Sequence, residues 1–252
     1  MSLSSNAIIL IPARLQAQRF PRKPLAMLSG KPMILHVLEA VKKSGIGDII
    51  VAAAETELQE VVEKAGFSCV LTDPNHPSGS DRIFEALQRV DPFGQKEIIV
   101  NVQGDLPVLD MAMIPLLLDT FKNPHVDIAT AVTPFKENEN PEDPNRVKAA
   151  VAWENNGNHG RALYFSRCPI PFKAQIYYHH IGIYAYRRHA LEKFISYPVG
   201  FLENEEKLEQ LRALENGMWI EAIKVDTSPL SVDTPEDLEY VEAYLKTKSF
   251  KG

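Results

Sequence analysis

Ala7-Ile-Ile-Leu-Ile-Pro-Ala-Arg14 decides the fold of this chain. The run from Ala7 to Pro12 carries no charged or hydrogen-bonding side chain, the pattern of a strand buried on both faces, and it ends directly in a loop rich in proline and arginine. Outward from it the pattern repeats. Met33, Ile34, Val37, Leu38 and Val41 recur at helical spacing, and Gly45 stands where a helix stops. Asp48–Ala53 predicts a second buried strand, Leu58–Ala65 a second helix closed by Gly66, and Phe67–Leu71 a third strand. A third helix holds Ile83, Phe84, Leu87 and Val90, entered through the turn at Pro77-Ser-Gly-Ser, and Glu97–Val102 is a fourth strand. Strand and helix in strict alternation predict an α/β domain with a mostly parallel, twisted, Rossmann-like sheet and helices on both faces.

Beyond residue 130 the pattern changes. Ile128–Val132, Val147–Trp153, Leu163–Ser166 and Ile181–Tyr186 read as strands with fewer helices between them, and the polar stretch Lys136–Asn145 reads as an exposed loop. Helices are expected near Glu205–Glu215 and Pro235–Lys246, flanking a strand at Ile220–Val225. With no repeat, low-complexity tract or long linker, residues 1–252 are expected to form one domain with a β-rich insertion. Its halves are expected at about 1–130 and 131–252.

Composition narrows the function. At 252 residues, 45% hydrophobic and 24% charged, the chain is an ordinary globular protein, which excludes disorder, collagen and coiled coil. Its two cysteines, Cys69 and Cys168, belong to no CxxC, so neither a disulfide framework nor a zinc cluster is expected. The apolar runs Ala7–Ile11 and Met111–Leu118 are too short for a signal core or a membrane span. A cytoplasmic setting is therefore expected. A net charge of −6 argues against general binding to nucleic acid or membrane.

The charge is uneven, however. Residues 1–38 hold Arg14, Arg19, Arg22, Lys23 and Lys31 without a carboxylate. Ligands of open parallel sheets sit beyond the C-terminal ends of strands, where four of these cations fall. Their mutual repulsion calls for an anion such as a triphosphate; otherwise they are solvated surface cations. No P-loop occurs, and Gly45-Ile-Gly47 precedes a strand and lacks a third glycine, which counts against a dehydrogenase. The fourth strand runs into Gln103-Gly-Asp105, where Gly104 permits a sharp turn or close approach and Asp105 is placed either to hold Mg²⁺ or to make an Asx turn before Pro107. In Val232-Asp-Thr-Pro-Glu-Asp237, Thr234 reads as a helix N-cap with Pro235 after it. That leaves Asp233 as a second metal ligand, unless Asp233 is itself the cap. Without a Ser-His or Cys-His nucleophile, the set suits a reaction in which the substrate attacks and the protein positions charge, as in phosphoryl or nucleotidyl transfer.

Ile11-Pro-Ala-Arg14, Arg19-Phe-Pro-Arg-Lys-Pro-Leu25 and Ser29-Gly-Lys-Pro-Met33 resemble the start of sugar-activating nucleotidyltransferases. Ser78–Arg82, Val100–Asp105, Ala162–Arg167, His180–Tyr184, Leu208-Glu-Gln-Leu-Arg212 and Val232–Asp237 extend the match in order over residues 7–245. Together they resemble the 3-deoxy-manno-octulosonate cytidylyltransferases.

The resemblance implies a nucleotide-diphospho-sugar transferase-like fold and an enzyme that joins CTP to 3-deoxy-D-manno-octulosonate (Kdo). The products are CMP-Kdo, for lipopolysaccharide biosynthesis, and pyrophosphate. It implies phosphate binding and catalysis by Arg14 and Lys23 and nucleotide contacts by Arg82 and Gln103. It implies Mg²⁺ on Asp105 and Asp233, with Asp105 also catalytic, and sugar contacts by Gln103, Arg167, His180, Glu209 and Gln210. Read alone, His180 is equally a structural histidine, Glu209 a solvated helix residue, and Tyr177, Tyr178, Tyr184 and Tyr186 packing. That tyrosine cluster and the resemblance together predict a homodimer, built mainly by the second half. A related acid sugar, 8-amino-Kdo or sialic acid, is the alternative substrate. A non-catalytic nucleotide binder is the alternative class, for which retention of both aspartates is unexplained. Two positions depart from the family: Ala17 where a small hydroxyl residue is usual, and Arg22 where glycine is.

Overall fold

In the computed structural model, residues 6–16, 19–110, 112–154, 157–227 and 230–249 are described. Ala17 lies outside them, so its effect on the loop is not part of the structure. In chain order the elements are β1 (Ala7–Ala13), β2 (Met27–Leu28), β3 (Lys31–Pro32), α1 (Met33–Lys42), β4 (Ile49–Ala53), α2 (Thr56–Lys64), β5 (Ser68–Leu71), α3 (Gly79–Val90) and β6 (Ile98–Asn101). There follow α4 (Met113–Thr120), β7 (Ile128–Pro134), β8 (Lys148–Trp153), β9 (His159–Ser166), β10 (Tyr178–Arg187), α5 (Arg188–Ser196), α6 (Phe201–Glu206), α7 (Gln210–Glu215), β11 (Ile220–Lys224) and α8 (Pro235–Ser249).

The chain forms two compact units. The first holds Met1–Lys96, Asn101–Met111 and Pro229–Gly252; the second holds Glu97–Val100 and Ala112–Ser228. In the first, β5, β4 and β1 lie side by side and both pairings are parallel. Ile8 to Ile11 are all buried, as a continuous apolar strand requires. Helix α1 buries Met33, Ile34, Val37, Leu38 and Val41, the stripe read from the sequence. The C-terminal helix also belongs here: Val232 and Val241 pack with Leu28 and Met33 in one buried cluster.

In the second unit the strand order is β6-β10-β7-β11-β9-β8. Pairing β7–β11 is parallel, while β7–β10, β9–β11 and β8–β9 are antiparallel. The mostly parallel sheet expected from the sequence is therefore mixed. The reason is local: β8 ends at Trp153 and β9 begins at His159, too few residues apart for the crossover a parallel pair needs.

Two helices escaped the sequence reading. Pro115 lies within the short apolar run Met111–Leu118, yet it sits in the first turn of α4, where a backbone N–H has no intrahelical acceptor to lose. Helix α5 begins on the residue after β10 ends, with no loop to announce it. The single helix expected at Glu205–Glu215 is two, α6 and α7, broken at Lys207, which adopts φ 55.

Candidate functional site

The first unit carries an open cleft of about 290 Å³ lined by Ala13, Arg14, Arg19, Lys23, His76, Ser78, Arg82, Gln103, Asp105 and Asp233 among others. That volume is at the lower edge of the range for small-molecule sites. The cleft lies beyond the C-terminal end of β1, where a sheet of this kind exposes its loops.

Arg14 leaves β1 exposed and lines the cleft without an ion pair among the described residues. The loop after it is tied down at both ends. Glu55 accepts the Leu15 N–H at 3.0 Å, and the Arg22 N–H donates to the Leu15 carbonyl at 2.8 Å. Arg22 then takes a left-handed conformation, φ 60 and ψ 22. This is the conformation that glycine adopts freely, which fits the glycine that the resemblance implies there. Lys23-Pro-Leu25 follows as a single 3₁₀ turn with Pro24 buried.

The unbalanced cations of the sequence are balanced in space by carboxylates from elsewhere. Arg22 pairs with Glu57, Lys31 with Glu39, Arg19 with Asp233, and Lys23 with both Asp105 and Asp233. The expectation that only a bound anion relieves their repulsion is thus corrected for all but Arg14.

Asp105 reaches the cleft because Gly104 lets the chain pass close to β1. A Cβ on Gly104 would lie 3.1 Å from the Pro12 carbonyl oxygen, so the glycine serves close backbone approach. The Asp105 side chain accepts from Lys23 Nζ at 2.7 Å. Asp233 arrives by a short antiparallel contact: the Leu230 N–H donates to Val108 and the Val232 N–H to Asp105, at 3.2 and 3.0 Å. Thr234 caps α8 as read from the sequence. Its Oγ1 accepts the Asp237 N–H at 3.2 Å, while Asp237 accepts the N–H groups of Asp233 and Thr234, both at 2.9 Å. Relieved of capping, the Asp233 carboxylate accepts from Lys23 at 3.2 Å and Arg19 at 3.1 Å.

The opposite wall is the start of α3, capped by Ser78, whose Oγ accepts the Asp81 N–H. A helix N-terminus favours anions. Arg82 is almost fully buried and donates to Thr72 Oγ1 at 2.6 Å and the Pro74 carbonyl at 3.3 Å; burial is the main influence lowering its pKa. Gln103 lines the cleft and stands 3.5 Å from Asn101 Oδ1. His76 also lines it, with Nε2 2.5 Å from Glu85. The sequence reading passed over His76, whose only local signal is its place beside Pro77-Ser-Gly.

Of the five residues assigned to the sugar, Gln103 lines the cleft of the first unit, while Arg167, His180, Glu209 and Gln210 belong to the second. His180 is buried; Nε2 is 2.9 Å from Thr130 Oγ1, and Thr130 donates its one hydroxyl proton to the Ile183 carbonyl at 2.8 Å. Burial, with His179 adding to it, pushes the His180 pKa down to about 3, so the ring is neutral. Arg167 donates to the carbonyls of Glu206, Pro144 and Lys207, using three of its five N–H groups. Glu209 precedes α7, half-buried, and Gln210 is buried on its first turn. Arg212 of the same block is a structural residue. It donates twice to the buried Glu203, at 2.7 and 2.6 Å, and lies over the Phe194 ring. Tyr184 and Tyr186 are buried within the chain, so they add nothing to an external surface.

Comparison with known proteins places the chain in a family. The family described as Cytidylyltransferase matches residues 8–223. The 3-deoxy-manno-octulosonate cytidylyltransferase of Paramagnetospirillum magneticum is 53% identical over 95% of this chain and 97% of its own length. That of Rhodospirillum rubrum is 50% identical over 97% and 98%. A solved CMP:2-keto-3-deoxy-manno-octonic acid synthetase complexed with CTP superposes with a TM-score of 0.87 at 35% identity, covering 96% of this chain and 99% of that one.

Proposed function

The chain belongs to the 3-deoxy-manno-octulosonate cytidylyltransferase family, a nucleotidyltransferase that moves the cytidylyl group of CTP to Kdo, and we propose that its chemistry is run by the cleft around Lys23, Asp105 and Asp233. One observation carries this assignment. Carboxylates 82 and 210 positions from Lys23 meet within 3.2 Å of its nitrogen, in a cleft rich in arginine.

Two convergent carboxylates are the donor set that the hard cation Mg²⁺ takes, and we assign Asp105 and Asp233 to hold it. When bound, the ion would draw charge from the α-phosphate and ease ionisation of the attacking hydroxyl. Arg14 and Lys23 neutralise the leaving pyrophosphate, and Arg19 adds a third cation on the same wall. Arg82 and Gln103 hold the nucleotide, with the α3 N-terminus beside them. The anomeric hydroxyl of the sugar acid attacks the α-phosphorus. A new P–O bond forms, the bond to the β-phosphate breaks, and pyrophosphate departs with the electron pair while the hydroxyl proton passes to solvent. We assign Arg167, His180, Glu209 and Gln210 to the sugar acid. In support, Arg167 keeps two N–H groups beyond its carbonyl bonds.

We further infer a homodimer in the cytoplasm, serving lipopolysaccharide synthesis. The exposed Phe172 and Ile176, next to half-buried Tyr177 and Tyr178, support a self-associating face. Among the described residues no helix is long and apolar enough to cross a membrane. Light scattering at micromolar protein tests the dimer, and a monomeric mass contradicts it. Pyrophosphate release, measured across the four NTPs with Kdo, 8-amino-Kdo and sialic acid in Mg²⁺, tests the substrate. CTP with Kdo should dominate, and preference for another sugar would reassign it.

A further inference from the structure

Lys23 plays a part that its role toward phosphates does not require. Its nitrogen lies 2.7 Å from Asp105 Oδ2 and 3.2 Å from Asp233 Oδ1, and its side chain is the least exposed of the three at 15%, against 28% and 38%. Two carboxylates brought to one point repel unless a cation stands between them. Here that cation is supplied by the chain itself. Arg19 adds a weaker hold from outside, bonding Asp233 at 3.1 Å with most of its side chain in solvent.

We propose that Lys23 is a built-in counter-ion and positioning residue, which assembles the Asp105–Asp233 pair and is exchanged for the divalent cation that arrives with the nucleotide. The proposal rests on the assignment of these aspartates to Mg²⁺. A carboxylate–Mg²⁺ bond is about 2.0–2.1 Å long, so an ion and an ammonium group cannot both bond the same two oxygens in the directions they now offer. The ammonium group must give way.

The backbone of Lys23 is fixed: it opens the 3₁₀ turn after left-handed Arg22 and before buried Pro24. Only its flexible four-carbon stem can move, within a cleft whose wall also carries Arg14. The triphosphate supplies the charge that receives it there. Metal and nucleotide therefore enter together. A divalent cation alone competes with Lys23, whereas the cation bound to CTP brings the group that draws Lys23 away.

This gives Lys23 opposite effects on two affinities. Titration with Mn²⁺, followed by its electron paramagnetic resonance signal at fixed ionic strength, reads both. In protein without nucleotide, Lys23→Gln should bind Mn²⁺ about tenfold more tightly than wild type, because a competing charge is gone. With CTP present the same variant should bind Mn²⁺ more weakly than wild type. Lys23→Arg keeps the charge and should stay near wild type without nucleotide. Equal or weaker Mn²⁺ binding by nucleotide-free Lys23→Gln overturns the proposal. Should Lys23→Gln fail to fold without a divalent cation, rescue by Mn²⁺ supports the proposal and lack of rescue overturns it. Asp105→Asn separates the two readings. If wild type and Asp105→Asn bind Mn²⁺ equally in the presence of CTP, the metal assignment itself fails, whatever Lys23 does.

Discussion

The cleft of the first unit and the polar interior of the second use charge in opposite ways. In the cleft, Lys23, Arg19, Asp105 and Asp233 satisfy one another while remaining partly exposed, so each contact can be traded for a ligand contact at small desolvation cost. In the second unit, Arg212 and Glu203 pair almost out of reach of water. Groups of that kind are fixed, because breaking one pair strands the other partner in low dielectric. Exchangeable charge suits substrate turnover, and locked charge suits a scaffold.

The largest effects should separate these two uses. Asp105→Asn and Asp233→Asn should each cut turnover on the order of 10²–10³-fold with saturating CTP and Mg²⁺, with a melting temperature no lower than wild type. The double variant should be less than additive, since both residues disable one unit. Near-normal turnover in either single variant would remove that residue from the mechanism. Arg212→Met should do the reverse, lowering stability by about 3–5 kcal/mol in urea titration by stranding Glu203. A loss below about 1 kcal/mol would show that this pair is not locked.

Lys23→Glu tests the cleft from its cationic side and should weaken CTP binding about a hundredfold in calorimetry, as a charge reversal facing phosphates demands. Wild-type affinity would refute the loop assignment.

Acid should strike the second unit first. Burial holds His179 at about 4 and His180 at about 3, below the usual 6.5, so the unfolded chain binds protons that the folded chain refuses. Their contribution to stability is complete above about pH 6.5 and is lost as pH falls toward these folded values. Between pH 7 and 5 the melting temperature should fall more steeply in wild type than in His179→Gln/His180→Gln. Parallel slopes would mean that neither ring is held neutral. The smallest effect belongs to Arg22→Gly. It relieves a left-handed non-glycine residue while removing only an exposed ion pair, so the melting temperature should stay level or rise slightly. A clear fall would make the Glu57 pair a real anchor of the loop.

The alternation of buried strands and amphipathic helices was legible over the first unit because each element there buries one continuous apolar face, as Ile8–Ile11 and the α1 stripe do. The cap at Thr234 was equally legible, because capping is a contact between residues three apart. Helix α4 was missed because Pro115 breaks a pattern without breaking a first turn, and α5 because no loop precedes it.

By itself, then, the sequence determined the α/β class, the helix stops, the cationic loop and the family, all of which rest on local periodicity or on contiguous motifs. Only the tertiary structure decided that the cations of that loop already have partners, that Gly104 serves the approach of the chain's own backbone, and that the short 105–108 and 230–232 contact delivers Asp233 to Asp105. Those facts depend mostly on contacts between residues far apart in the chain, such as the 82 and 210 positions that separate Lys23 from Asp105 and Asp233. Electrostatic attraction acts through distance in space, and spacing along the chain does not encode it.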